Sequence, residues 1–179
     1  MTDDHDDRLK QIQERNNIIL GHFVHVWRGR ISDDTLYEHV LNIQTFTDTY
    51  LNYYAEAGGL CSADQATAWR VYDFVTDWLP RKCWVDSERQ IKNYLASLKK
   101  YVQFMGEQGY MPAETAEEIL QMLKEERQEM IKAAVTYGDE PDESESPEAF
   151  QARMQELVER WKALSQESKT GHEEAAQDL

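Results

Sequence analysis

Cysteine, proline, glycine and positive charge are all scarce in this chain. Two cysteines, Cys61 and Cys83, occur among 179 residues. They form no C-x-x-C pair, which argues against a zinc knuckle and a thioredoxin-like dithiol. Free thiols in a cytoplasmic setting are the expectation. Four prolines and eight glycines are too few for a turn-rich sandwich or barrel. No apolar run reaches about 18 residues, so no membrane span is expected. The acidic opening Met1-Thr2-Asp3-Asp4-His5-Asp6-Asp7 is unlike a secretory leader. Lys and Arg number 19 against 34 Asp and Glu, a formal net charge of −15. Such a molecule as a whole repels polyanions, so generic nucleic-acid binding is disfavoured unless a local patch overrides the total. Catalytic signatures are also lacking: there is no G-x-S-x-G, P-loop, dinucleotide fingerprint or H-E-x-x-H. No carboxylate pair stands inside an apolar stripe, where a raised pKa would make a general acid. The expectation is a non-enzymatic chain with no cofactor.

What is present is a succession of helical patterns. Hydrophobic residues make up 41% of the chain, enough for a buried core. Leu9, Ile12, Asn16, Ile19, Phe23 and Val26 or Trp27 repeat at three and four residues, one face of a first helix. Its end, His22 to Trp27, also reads as a short strand. Ser32 caps a second helix carrying Leu36, Val40, Ile43, Phe46, Thr47, Tyr50, Leu51 and Tyr54, closed by Gly58-Gly59. Ser62 with Gln65 forms a capping box that opens a third helix, and Pro80 is expected to stop it. Ser87 with Gln90 opens a fourth, whose wide apolar face ends at Gly109. A fifth runs from about Pro112 to about Ala134. The fold class is therefore all-α, a multi-helix bundle. The expected organisation is an N-terminal helix (1–30), a helical core domain (31–137), an acidic linker (138–146), an amphipathic C-terminal helix (147–168) and a frayed tail (169–179).

Several residues are candidates for function. His22 and His25 share a helical face and could hold a metal with a ligand such as His39 or Glu14. Two imidazoles fall short of the three or four ligands of established zinc signatures, so two partly buried histidines are favoured and no metal is expected. Cys61 at a helix start and Cys83 beside Arg81 and Lys82 could have lowered thiol pKa values. Small buried hydrophobes are the commoner fate of such residues. Trp69, Trp78, Trp84, Tyr94 and Tyr101 are assigned to the core by their helical spacing.

The stretch from Arg81 to Lys100 runs against the acidic trend. It holds Arg81, Lys82, Arg89, Lys92, Lys99 and Lys100 against Asp86 and Glu88. On a wheel of about 100° per residue, Lys92, Lys99, Arg89 and Lys100 fall within one arc, opposite Ile91, Tyr94, Leu95, Leu98, Tyr101, Val102 and Met105. A cationic ridge on an exposed face could touch phosphates. Pairing with the chain's own carboxylates is the competing fate. Beyond the linker, Phe150, Met154, Leu157, Trp161 and Leu164 keep a heptad-like spacing. They suggest a surface for self-association or for a protein partner.

The stretch from Ser32 to about Met111 resembles the N-terminal, SAM-like core-binding domain of tyrosine recombinases and phage integrases. The residues that carry it are Ser32-Asp33-Asp34-Thr35 with Phe46 and Tyr50-Leu51, then Val71-Tyr72-Asp73-Phe74 with Trp78-Leu79. They continue with the run from Ile91 to Met105, Ile-Lys-Asn-Tyr-Leu-Ala-Ser-Leu-Lys-Lys-Tyr-Val-Gln-Phe-Met, and Glu107-Gln108-Gly109-Tyr110-Met111. The resemblance implies a core of about four helices that touches DNA through Lys92, Lys99 and Lys100, with Arg81, Lys82 and Arg89. That family's catalytic Arg, Lys, His and Tyr set belongs to a following domain, so no strand transfer is expected here. The family's domain is basic, whereas residues 31–137 are net acidic. Three interaction roles follow. One is a non-catalytic module that binds DNA weakly or with a partner. The second is an acidic protein–protein adaptor. The third is a DNA mimic that presents carboxylates to a basic partner.

Overall fold

The computed structural model describes residues 2–53, 60–83, 85 and 87–137. The side chains of 2–4 and 53 are left aside. The described residues belong to one compact unit, Met1–Tyr137. Gly58-Gly59, Trp84, the acidic linker and the candidates Phe150, Met154, Leu157, Trp161 and Leu164 lie outside the described residues.

The protein is an all-α, multi-helix bundle. Helix α1 spans Thr2–Trp27. Helix α2 runs over Asp33–Gln44, passes through a π turn at Thr45–Tyr50 and resumes at Leu51–Tyr53. A single 3₁₀ turn, Ala63–Gln65, precedes α3. Helix α3 comprises Ala68–Asp73, a second π turn at Phe74–Trp78 and Leu79–Lys82. Helix α4 is Glu88–Glu107, α5 is Ala113–Glu125 and α6 is Arg127–Val135. Among the described residues there is no strand, only an isolated bridge between Arg28 and Ile31. The His22 to Trp27 segment is helical throughout, which settles the strand alternative. Its face points Phe23 into the core beside Ile19, and both are fully buried.

The helix ends follow local chemistry. Ser32 Oγ accepts from the Thr35 amide at 3.2 Å, and Ser87 Oγ accepts from the Gln90 amide at 3.4 Å. Each satisfies a donor that the first helical turn cannot. Gly109 closes α4 at φ +70°, a left-handed conformation that a side chain would resist.

Three expected boundaries are corrected. The Ser62–Gln65 capping box is present, but it organises only the 3₁₀ turn. The chain is extended at Ala66 and Thr67, and Thr67 then caps α3. Pro80 does not stop α3. It sits in the first turn of Leu79–Lys82, directly after the π turn, where the Leu79 amide reaches back five residues to Phe74 O. A π turn is one of the few adjustments by which a helix absorbs a local disruption. The single fifth helix is in fact α5 and α6, broken at Glu126, whose backbone leaves the helical basin at φ −90°, ψ 6°. Glu126 is buried, and no glycine or proline marks the break.

Helix α4 is the centre of the bundle. It packs against α2 on one side and α5 on the other, and also meets α1 and α6. Ile91, Leu95, Leu98, Tyr101, Val102 and Met105 are all buried along it. Removing such a face from water is the main source of its stability, since helix propensity alone is marginal at this length. The two π turns face one another and build an aromatic cluster. Phe46 and Phe74 have centroids 5.0 Å apart, and Tyr50 meets Trp78 at 5.8 Å. A second cluster joins α1 to α4, with Phe23 edge-on to Tyr101 at 5.5 Å and to Phe104 at 5.4 Å. Of the tryptophans assigned to the core, Trp78 is buried, whereas Trp69 is 39% exposed and stacks on Tyr72.

Candidate nucleic-acid interface

Helix α4 presents its two faces as its periodicity predicts. Its apolar side is interred, and Arg89 and Lys99 are exposed while Lys92 and Lys100 are half-buried. The cations are nevertheless not a row of free charges. Lys92 is paired with Glu88 one turn earlier. That ammonium holds the Glu88 carboxyl below its ordinary range. Arg81 donates to Asp77 Oδ2 at 2.5 Å, again one turn apart. This bond raises the Arg81 pKa further. Tyr137 shares the same acid, donating to Asp77 Oδ1 at 3.3 Å. Lys100 Nζ lies 3.8 Å from the centroid of the Trp27 ring, a cation–π contact that turns it toward α1. Lys82 is exposed beside Arg81 in the last turn of α3. There the two cations complement the negative end of the helix dipole.

Arg81 and Lys92 thus each have an acid of their own helix as partner and Lys100 has a ring, whereas Arg89 forms no ion pair among the described residues. Lys99 is differently placed. Helix α5 turns back along α4, so closely that Gly106 lies against Ala116. The resulting shallow groove is lined by Lys99, Gln103, Leu120, Gln121, Lys124 and Glu125. Neither Lys99 nor Lys124 forms an ion pair among the described residues. Glu125 accepts from Gln121 Nε2 at 3.0 Å, and Gln103 Nε2 donates to Glu107 at 2.8 Å. Lys124 was not identified from sequence. Its own helix carries several acids, and its nearness to Lys99 arises only when α5 folds back.

A second arrangement has the outward form of a catalytic pair. His39 Nδ1 is 2.8 Å from Ser97 Oγ, between α2 and α4. Ser97 donates its hydroxyl proton to Asn93 O at 2.8 Å, and Asn42 Nδ2 donates to Ser97 Oγ at 3.0 Å. With its only proton committed, Ser97 can face His39 only as an acceptor, so the imidazole carries its proton on Nδ1. Burial pushes the His39 pKa down, the nearby Lys100 adds to this, and Glu38 opposes it. Asn93 Nδ2 completes the chain of bonds by donating to Glu38 Oε1 at 2.6 Å. Ser97 is wholly buried. A hydroxyl that accepts from the imidazole is not primed by it for nucleophilic attack.

The remaining candidates have structural partners. His22 Nδ1 lies 2.9 Å from Tyr110 Oη, and its ring sits edge-on to Phe104. His25 is exposed. No group of three or more His, Cys, Asp or Glu able to hold a metal occurs among the described residues. Cys61 is buried and receives Arg70 Nη1 at 2.5 Å. Burial nevertheless pushes its thiol pKa up, against the pull of Arg70. Burial raises the Cys83 thiol likewise. The lowering expected from the helix start and from Arg81 and Lys82 is therefore reversed by desolvation. Among the described residues no helix is long and apolar enough to cross a membrane. No family model, curated protein or solved structure matches the chain.

Proposed function

We propose that this chain is a non-catalytic helical interaction module that meets the phosphate backbone of duplex DNA weakly, through the α4–α5 groove. The observation that carries this reading is that Lys99 and Lys124 line one groove, with Glu125 at its edge, and that neither lysine forms an ion pair among the described residues. Gln103 and Gln121 beside them each give one amide N–H to a glutamate and have a second N–H to offer a phosphate oxygen. The resemblance of α2–α4 to the recombinase core-binding domain supports the same assignment, because Lys99 belongs to the matching run. The closed Ser97–His39 pair supports a role without catalysis, since its hydroxyl is buried and already committed.

Fluorescence anisotropy with a labelled duplex tests this. Two phosphate contacts predict measurable binding at about 50 mM salt, with log affinity falling against log salt at a slope of about −2. Lys99→Glu with Lys124→Glu abolishes that binding, while Lys92→Glu changes it less. No binding at about 50 mM salt, or binding indifferent to the double substitution, refutes the reading.

A second reading is an acidic protein–protein adaptor. It is favoured by Tyr37 and Leu41, 65% and 45% exposed and one turn apart on α2. Large side chains left in water on one helical face suit a protein contact. Sedimentation velocity of the full chain tests self-association, with Tyr37→Ser and Leu41→Ser expected to shift a concentration-dependent dimer to monomer. A monomer at every concentration removes self-association from this reading.

A further inference from the structure

Helix α1 has an outward face that its packing within the bundle does not account for. Ile12, Asn16, Ile19 and Phe23 are buried and turn one side of the helix inward. On the opposite side Gln11, Glu14, Ile18, Gly21, His25 and Arg28 recur at three and four residues, and all are exposed. Two of them are out of place on a solvated face. Ile18 is 61% exposed. Gly21 lies in the interior of a 26-residue helix, where glycine is among the least favoured residues. Its missing side chain makes room for nothing inside the molecule. A Cβ at Gly21 would meet no atom within 4 Å beyond its own helix backbone and chain neighbours, whereas one at Gly106 would meet Ala116. Bare backbone on an exposed helix face permits the close approach of a second element.

A large side chain and a gap one turn apart are the knob and the hole of a helix–helix contact. The charges along the stripe select the occupant. Asp7 and Glu14 stand toward its N-terminal end, and His25 and Arg28 toward its C-terminal end. None of the four forms an ion pair among the described residues. An identical helix laid antiparallel presents this pattern in reverse. With Ile18 of each copy seated over Gly21 of the other, Glu14 faces His25 and Gln11 faces Arg28, with Asp7 one turn further on. Such a contact is isologous, so every pair occurs twice about a two-fold axis. A parallel arrangement would set Glu14 against Glu14 and Arg28 against Arg28, and like charges brought together oppose association. We infer that α1 is a self-association face, through which two copies of this chain pair antiparallel across Ile18 and Gly21. This goes beyond the adaptor reading, which places its contact on α2 at Tyr37 and Leu41.

Sedimentation velocity of the full chain over a range of concentrations tests the pairing. The expected result is a concentration-dependent dimer whose Kd rises by about tenfold or more in Ile18→Ser. Gly21→Leu has room in the monomer and brings a better helix former, so its Tm is kept or raised while the dimer Kd again rises by about tenfold or more. Glu14 and His25 of one copy are about 16 Å apart along the helix and cannot meet each other. Glu14→Lys and His25→Glu therefore each weaken the dimer, and the double variant, with the charges exchanged, restores it. A monomer at every concentration overturns the proposal. A dimer indifferent to Ile18→Ser and Gly21→Leu but lost in Tyr37→Ser with Leu41→Ser overturns it while leaving the α2 contact standing. Failure of the exchanged charges to restore the dimer overturns the antiparallel register.

Discussion

Replacing Ser97 by alanine is the sharpest single test of how α2 is held to α4. In the native molecule Ser97 Oγ accepts from His39 and from Asn42, and its own proton goes to Asn93 O. Alanine removes the oxygen and leaves the two donors in place, at residues that are 8% and 9% exposed. Each buried donor deprived of its partner costs about 1–3 kcal/mol. Alanine recovers about 0.5 kcal/mol of helix propensity relative to serine. The Asn93 carbonyl loses little, because the helix ladder still serves it. The expected net loss is about 1.5–5.5 kcal/mol, a large share of the stability of a domain this size. Urea unfolding followed by circular dichroism measures it, with the slope unchanged if the native state stays compact. A double variant, Ser97→Ala with His39→Leu, recovers part of the loss, because one orphaned donor is then gone. A loss below about 0.5 kcal/mol for the single variant would refute the reasoning, since the two donors must then find other partners at no cost. A larger loss with no recovery in the double variant would instead mark overpacking at position 39.

Two further outcomes follow from the same packing. The His39 pKa lies below the ordinary imidazole value of 6.5, so the unfolded chain takes up its proton first. Stability is then complete above about pH 6.5 and is lost as pH falls from there toward the folded pKa. The difference between wild type and His39→Gln in urea midpoints at pH 8 and pH 5 isolates this effect from Asp48, whose raised pKa acts with the opposite sign at lower pH. A difference that does not change with pH contradicts it. At Gly106, an added Cβ would stand 2.8 Å from the Ala116 Cβ, so Gly106→Ala forces α4 and α5 apart. Overpacking of about 1–3 kcal/mol outweighs a helix-propensity gain of about 1 kcal/mol. Thermal unfolding is expected to show a lower Tm that Ala116→Gly partly restores in the double variant, and a raised Tm for the single variant contradicts the close approach.

What could be read from the sequence was what short-range chemistry determines. Ser32, Ser87 and Gly109 announce helix ends because each acts on amides or dihedrals within a few residues. The wide face of α4 is periodic over twenty residues, and its burial follows. Features that depend on a neighbouring helix were hidden. The Ser62 box is real, yet Asn16 of α1 already holds the Ala63 amide, and the turn does not propagate. Pro80 reads as a terminator until the π turn before it is seen. The break at Glu126, a buried residue, carries no glycine or proline to announce it. The cationic ridge shows the same division. Its direction was legible, but its pairing partners were only partly so. Glu88 lies four residues before Lys92, the spacing at which helical ion pairs form. Trp27 lies on another helix and could not have been assigned to Lys100.

These pairings decide where an acidic molecule could meet a polyanion at all. Arg81 of α3 is paired with Asp77 and Lys92 of α4 with Glu88, and Lys100 lies over the Trp27 ring, while Arg89 and Lys99 stay exposed on α4. At the seam with α5, Lys99 and Lys124 form no ion pair among the described residues, and the groove they share also holds the Glu125 carboxylate, which accepts from Gln121. Short-range attraction at that seam acts against long-range repulsion from a net charge of −15. The two respond oppositely to salt. Screening over a Debye length of about 8–10 Å removes most of the repulsion at physiological ionic strength, while counterion competition weakens the phosphate contacts themselves. Association should therefore be slow at very low salt, where the whole molecule is repelled, and weak at high salt, where the contacts are lost. A basic domain of the same fold would show only the second trend. The salt profile of the association rate, more than any single affinity, separates a groove acting within an acidic body from a uniformly attractive surface.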